Sequence, residues 1–414
     1  MNANRAVCIS LILFVTCRAA LAVDEFRAWT SADGRKVEAA FVSFENGQVR
    51  IKLKNGSVSS VPLERFSTAD QEFVKQKTAP AAKANSTEKK AANAGDSPAA
   101  EKSWPRTVSL DEPADPQVVK EDAAAKEFLY RTKHYEFQCD SKIGANAVKE
   151  FARIFEATYL ANCKFPLDLK PSPEPGREYF LARLFTQKQD YFDAGAIPES
   201  SGTYMSAMKS LIVPLESLGV KLAGTRVILE GSSNDRDNNT LVHEITHQMM
   251  NHWLGKLPQW YIEGSAEYVA MAKYERGKFN FTRMDDRLRD YLQGRGAKGK
   301  SFTMLKPAEL MVISPEQWDA DMGSKASQQN YGSSAVLAYF FYHIDEKGDG
   351  ANMIAWLRDI EGTDDEAAVL ASAEKHLVRG RTADELEKAV KTGFRKQGFD
   401  IDFASRGITK SSAK

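Results

Sequence analysis

The chain has no excess of either charge. Lysine plus arginine and aspartate plus glutamate number 56 each, and that balance gives no support to nucleic-acid binding, which leaves a basic excess. Long apolar runs are also missing. The run near the N-terminus, Val7 to Val15, is too short to span a bilayer. No later stretch reaches membrane length, so no membrane span is expected. There is no internal repeat. Cysteine is scarce, at four residues, and so is histidine, at six. Scarcity makes any ordered spacing of histidines informative.

The first residues, MNANRAVCISLILFVTCRAALA, place Arg5 before the apolar run and end in Ala20-Leu21-Ala22. A basic start, a short apolar segment and a small-x-small end read as a secretory leader over residues 1–22. The expected location is therefore outside the cytoplasm, in a periplasm or the extracellular space. Cys17 lacks a lipidation context. Cys8 and Cys17 would leave with the leader, and Cys139 and Cys163 remain. An oxidising compartment permits them to pair, and two separate buried thiols are equally consistent with the sequence.

Residues 25–76 read as a small β-rich module. Turn pairs punctuate it at Asp33-Gly34, Asn46-Gly47 and Asn55-Gly56. Val49, Ile51 and Leu53 alternate with polar residues, giving one buried face. Ser67 stands where a helix cap belongs. The segments W-T-x-x-x-G-R-K-V-E-A-x-F, G-x-V-x-I-K and V-P-L-E-R-F-S-x-x-D resemble the Sla-type homology domain 1, an SH3-like barrel. That resemblance implies the barrel fold and a binding role toward a peptide or cell-envelope ligand; a structural spacer is the bland alternative. Residues 77–104 are rich in Ala, Lys, Ser, Pro and Asn, with no large apolar residue before Trp104. Such a composition buries too little surface to offset its ordering entropy, so it predicts a flexible linker.

Residues 105–402 read as one α+β domain, with a short tail over 403–414. Strands are expected at 133–139 and 177–185. Between them Val148, Phe151, Ala152, Phe155 and Tyr159 recur at helical spacing. A hairpin or edge strand is expected over 202–215, followed by helices at 239–254, 263–275, 331–344, 351–360 and 382–397. Strands followed by helices indicate the α+β class.

The chemistry concentrates in NNTLVHEITHQMM, residues 238–250. His243 and His247, four apart on a helix, face the same side one turn apart. Two imidazoles so placed can fill two corners of a zinc tetrahedron. Glu244 is rotated around the helix, placed to reach a water activated by the metal rather than the metal itself. Chance alone would produce this pattern in roughly one in a few hundred such sequences. A catalytic site of this kind needs a third protein ligand and an open fourth position. Pro258 breaks the first helix, and a second amphipathic helix is expected to begin near Ile262. Glu263 then faces the first helix, and Glu267, one turn later, is placed to accept a hydrogen bond from the second nitrogen of a ligand histidine. The bland alternative for these residues is a solvated helix face.

His243-Glu244-Ile245-Thr246-His247 followed by Trp260-Tyr261-Ile262-Glu263-Gly264-Ser265-Ala266-Glu267-Tyr268 resembles the gluzincin clan of zinc metallopeptidases, which includes the thermolysin-like enzymes. The resemblance covers about 133–345. It implies a thermolysin-like domain with a mixed sheet and a pair of zinc helices. It also implies one Zn²⁺ at His243, His247 and Glu263, with Glu244 as general base and Glu267 as the acid behind a ligand. Fifteen residues separate His247 from Glu263, fewer than in the best-known families, which leaves the subfamily open. Tyr331, expected to open a later apolar helix, is the candidate oxyanion donor; a core aromatic is its alternative reading. His134, His252, His343 and His376 have no ligand spacing. The expected activity is hydrolysis of peptide or protein substrates. The alternative is a non-catalytic binding or scaffolding protein with a structural zinc site, and a third reading is hydrolysis of another amide bond, such as one in cell-wall peptide.

Overall fold

The computed structural model describes residues 26–31, 36–45, 48–53, 58–67, 70–71, 73–74, 103–196, 200, 202–223, 226–229 and 238–406. The leader 1–22, the three turn pairs at 33–34, 46–47 and 55–56, residues 77–102 of the linker and residues 407–414 of the tail lie outside the described residues. The chain divides into two compact units, Met1–Gly95 and Asp96–Lys414.

In the first unit, β1 (Phe26–Thr30), β2 (Lys36–Glu45), β3 (Gln48–Leu53) and β4 (Val58–Pro62) form one antiparallel sheet in sequence order. The alternation read from β3 is visible as burial: Val49 and Ile51 point inward while Gln48 and Arg50 are exposed. They pack with Trp29, Ala39, Phe66 and Val74, and the Trp29 indole donates to the Ala39 carbonyl at 3.0 Å. A small core of this kind needs polar locks. Asp70 supplies one: it accepts from the Thr30 amide at 2.8 Å and from Arg27 at 2.6 Å. The Ser67 hydroxyl accepts from the Asp70 amide at 3.3 Å, the capping contact expected of that serine.

The second unit is mixed α+β. It opens with β5 (Thr107–Ser109). Six strands follow: β6 (Gln117–Asp122), β7 (Glu127–Arg131), β8 (Tyr135–Cys139), β9 (Phe180–Phe185), β10 (Thr203–Met205) and β11 (Ser210–Pro214). They form one sheet in the order β10-β11-β9-β8-β7-β6. The β6–β7–β8 meander is antiparallel, and β8, β9 and β11 run parallel. Parallel neighbours need a crossover, and α1 (Ala145–Lys164) supplies it between β8 and β9. Its apolar stripe carries Phe151 and Phe155 onto Phe137, with ring centroids 5.2 and 5.1 Å apart. The same helix buries Glu156, which accepts from the Thr132 hydroxyl at 2.6 Å and the His134 amide at 2.9 Å and pairs with the His134 ring. No disulfide joins Cys139 and Cys163; burial pushes the Cys139 thiol up to about 12.

Beyond the sheet, among the described residues, come α2 (Lys188–Asp193), the pair β12 (Val220–Ala223) and β13 (Arg226–Leu229), then α3 (Asn239–Met249) and α4 (Gln259–Ala270). A small sheet joins β5 to β14 (Lys273–Glu275) and β15 (Lys278–Asn280). Helices α5 (Met284–Gln293), α6 (Pro307–Leu310), α7 (Pro315–Asp321), α8 (Lys325–His343), α9 (Ala351–Ile360), α10 (Glu366–Ala373) and α11 (Ala383–Lys396) complete the unit. A parallel pair, β16 (Ser301–Leu305) and β17 (Asp400–Ala404), ties the end of the chain back to its middle. No helix among the described residues is long and apolar enough to cross a membrane.

Three helix boundaries differ from the sequence reading, each for a local reason. The first motif helix, α3, ends at Met249 rather than 254, and residues 250–256 form turns. Its start has Asn238 at the cap position without a side-chain hydrogen bond. The second, α4, begins at Gln259, directly after Pro258, whose φ of −68° leads the chain into it. That helix is not amphipathic: every residue from Trp260 to Ala270 is buried, because it is wedged between α3 and α8. Helix α8 starts at Lys325, capped by the Ser324 hydroxyl, so Tyr331 lies inside it rather than at its opening. The polar KASQQN stretch hides that first part from an apolar-period reading.

Candidate metal centre

The helix pair α3 and α4 presents three donor atoms to one point. His243 and His247, one turn apart on α3, bring their Nε2 atoms within 2.9 Å. Glu263 on α4 places Oε2 at 3.1 Å from His243 Nε2 and 3.5 Å from His247 Nε2. Tetrahedral zinc with bonds of about 2.0–2.2 Å holds its ligands about 3.3–3.6 Å apart. The observed triangle matches one face of that tetrahedron to within a few tenths of an ångström. Two imidazoles and a carboxylate are also a donor set suited to zinc, so the residues present fit the metal.

The carboxylate is held in place from behind. Gln259 Nε2, one turn earlier on α4, donates to Glu263 Oε1 at 2.9 Å, which leaves Oε2 facing the histidines. The three side chains are only 8–12% exposed, so their charges act in a poorly screened medium. Burial by itself raises the Glu263 carboxyl, but the charge of His247 and the hydrogen bonds and charge of His243 outweigh it and hold Glu263 well below the usual carboxylate range. Burial alone would lower His243; its hydrogen bond to the Glu263 carboxylate and the charges of Glu267, Glu263 and Glu244 overcome it and raise the imidazole to about 9. The site is thus an acid-rich pocket that holds positive charge at its centre. The Nδ1 atom of His247 is buried without a hydrogen-bond partner among the described residues.

Glu244 belongs to the same cluster, with His243 and His247 ligand atoms within 4.8 Å, yet it is held differently. Its Oε2 accepts the Tyr204 amide at 2.9 Å. Tyr204 sits on β10, the edge strand of the six-stranded sheet. The glutamate is therefore tied to the sheet edge while Glu263 faces the imidazoles, so the two carboxylates are held in different places.

Glu267 lies one turn beyond Glu263, with Oε1 3.7 Å from His243 Nδ1. That is longer than a hydrogen bond, so the contact is one of charge. The same oxygen accepts from Arg295 Nη2 at 3.0 Å. Arg295 also donates to Gln328 at 2.8 Å and lies over the Tyr291 and Tyr331 rings, at 4.5 and 5.2 Å. Tyr331 stands beside the centre, its ring centroid 6.2 Å from that of His243, and its hydroxyl rests against Met322 Sδ at 4.0 Å. Burial first, then the nearby Glu263, Glu267 and Glu244 charges, push the Tyr331 phenol well above its ordinary range. All six residues singled out in the sequence thus meet in one place. Four of them, His243, Glu244, Glu267 and Tyr331, line a cleft of about 1100 Å³ together with Arg295.

Three contributors escaped the sequence reading. Gln259 was findable, since it stands four residues before Glu263 on one helix face. Arg295, after the end of α5, and the Tyr204 amide carry no local signal; only tertiary folding brings them in. The other histidines have separate partners. His134 pairs with Glu156, His252 contacts Ser172, His376 pairs with Asp359, and half-buried His343 shares a hydrogen bond with the Tyr268 hydroxyl at 2.8 Å.

No curated protein matches the chain. Residues 19–81 match the model of SLA1 homology domain 1 (SHD1), in agreement with the β-rich unit seen there. The chain therefore carries an SLA1 homology domain 1 at its N-terminal end, ahead of the α+β unit that holds the candidate centre.

Proposed function

We propose that the chain is an exported, periplasmic or extracellular, zinc-dependent peptidase of the gluzincin, thermolysin-like kind. In this reading His243, His247 and Glu263 hold one zinc ion. The observation that carries it is the convergence of the two Nε2 atoms and Glu263 Oε2 within 2.9–3.5 Å beside Glu244, at the wall of an open cleft. A structural zinc site closes its coordination with four protein ligands; here three donors converge, and His243 lies in the wall of the cleft.

When bound, zinc supplies a Lewis acid that lowers the pKa of water toward neutrality and polarises a carbonyl. The chain's own residues do the rest. The Tyr204 amide fixes one oxygen of Glu244, and the carboxylate takes the proton of the attacking water and delivers it to the leaving amine. Tyr331, kept protonated through neutral pH by its raised phenol, donates toward the oxygen that gains charge. Thr203–Met205 lies antiparallel to β11 at the end of the six-stranded sheet, with no strand on its other side among the described residues; in this reading an extended peptide lies along that side, where the Tyr204 amide already meets Glu244. Glu267 and Arg295 hold the charge balance behind His243. The SLA1 homology domain 1 would tether the enzyme to a peptide or envelope ligand.

The test is digestion of a broad peptide mixture by the purified chain, read by mass spectrometry. New termini are expected with zinc bound, none after chelation, and recovery on adding zinc. Zinc bound at one per chain with no cleavage of any peptide would favour the scaffolding reading. Cleavage confined to cell-wall peptide would favour the third.

A further inference from the structure

We propose that the cleft selects substrates carrying a carboxylate near the scissile bond, read by Arg287 and Lys325; this rests on the peptidase reading above. Both residues line the cleft that holds His243, Glu244 and Tyr331. Neither side chain has a hydrogen-bond or ion-pair partner among the described residues, and the contrast with their neighbours is informative. Arg283, at the N-terminal cap of the same helix α5, pairs with Asp286, and Arg289 within it pairs with Asp285 and Asp286. Arg295, the third cation of the cleft wall, is spent on Glu267 and Gln328. An arginine left without a carboxylate beside such neighbours, and half-buried in a cleft wall, is a cation available to a ligand.

The acids of the cleft do not cancel these two. Glu267 is paired with Arg295, and Glu244, held by the Tyr204 amide, keeps its charge beside the candidate metal centre, where a bound zinc ion would offset it. Asp290 is the remaining acid of the wall; it is exposed and lies beyond ion-pair distance of Arg287 despite standing three residues away on one helix. With zinc bound beside Glu244, the two unpartnered cations Arg287 and Lys325 therefore face one exposed acid, Asp290. A cleft walled by protein focuses that field. A carboxylate fits it and an ammonium does not. The carboxylate has two sources in a peptide, an acidic side chain or the C-terminus.

The experiment uses the zinc-loaded full chain and one cleaved host peptide. Variants of the peptide carry Glu, Gln or Lys at each position flanking the cleaved bond, each with a free or an amidated C-terminus. The expected result is a kcat/KM for one Glu peptide about five- to tenfold above its Gln counterpart at low salt, with Lys lowest, and a ratio that shrinks as salt rises. If the C-terminus is the group read, amidation produces the loss instead. In Arg287→Gln/Lys325→Gln protein the ratio falls to about one. Equal turnover of Glu and Gln peptides together with indifference to amidation overturns the inference, as does a preference that survives the double substitution. If wild type cleaves nothing, the peptidase reading fails. The charge preference is then read by calorimetric binding of the same peptides to Glu244→Gln protein, where binding without preference overturns the inference separately.

Discussion

Gly264, the residue after the ligand Glu263, sets how closely α4 approaches α8. A Cβ built on it would lie 2.4 Å from the Ser334 carbonyl oxygen and 3.0 Å from Ala338 Cβ. Ordinary contact begins at 3.4 Å, so Gly264→Ala demands a separation of about 1 Å. Two effects compete. Alanine favours a helix interior over glycine by about 1 kcal/mol, whereas overpacking costs about 1–3 kcal/mol. The clash is with backbone, which no rotamer change relieves, so the cost falls at the upper end and the net expectation is destabilisation of about 2 kcal/mol. The metal centre is more sensitive still. Ligand distances tolerate about ±0.2 Å, and the required shift moves α4, which carries Glu263, away from α8 and against α3, which carries His243 and His247. Zinc affinity should fall at least about tenfold, measured by chelator competition alongside denaturant unfolding. Gly255→Ala is the control: no atom lies within 4 Å of its built Cβ, and neither quantity should move. A Gly264→Ala protein with wild-type stability and wild-type zinc affinity would refute this account of the helix crossing.

Two further outcomes follow from the same geometry. Arg295→Met leaves the buried Glu267 carboxylate without its cation and loosens the Tyr331 ring; zinc affinity should drop about 10-fold or more, and unchanged chelator competition would exclude a role for Arg295 at the centre. His343 should make stability pH-dependent. Burial holds its imidazole down at about 4 against 6.5 when unfolded, so its contribution is complete above pH 6.5 and is lost as pH falls toward 4. At 1.36 kcal/mol per pKa unit that is about 3 kcal/mol. Urea unfolding of metal-free wild type and His343→Gln across that window should differ in slope, and parallel curves would contradict the burial argument.

Much of the site was legible because its residues lie close in sequence. His243, Glu244 and His247 share one helix, and Glu263 and Glu267 share the next, so helical spacing alone orders them. The strand alternation at Val49 and Ile51 was legible for a similar reason, since one face is buried and the other wet. Tertiary partners were not. Arg295 reaches Glu267 from 28 residues away, and the Tyr204 amide reaches Glu244 from a different sheet edge, neither with a periodicity to betray it. Strand β6 was missed because it is exposed along nearly its whole length, with Val118 and Val119 facing solvent and a register shift after Val118. The β16–β17 pair joins residues about a hundred positions apart, a non-local pairing that no local pattern announces.

The account turns on a division of labour between two glutamates, one holding metal and one moving protons. The most direct measurement is zinc content and peptide cleavage determined together on Glu244→Gln protein. The account predicts one zinc per chain, as in wild type, with cleavage reduced by a factor of about 10²–10⁴. Undiminished cleavage by the zinc-loaded variant would contradict it.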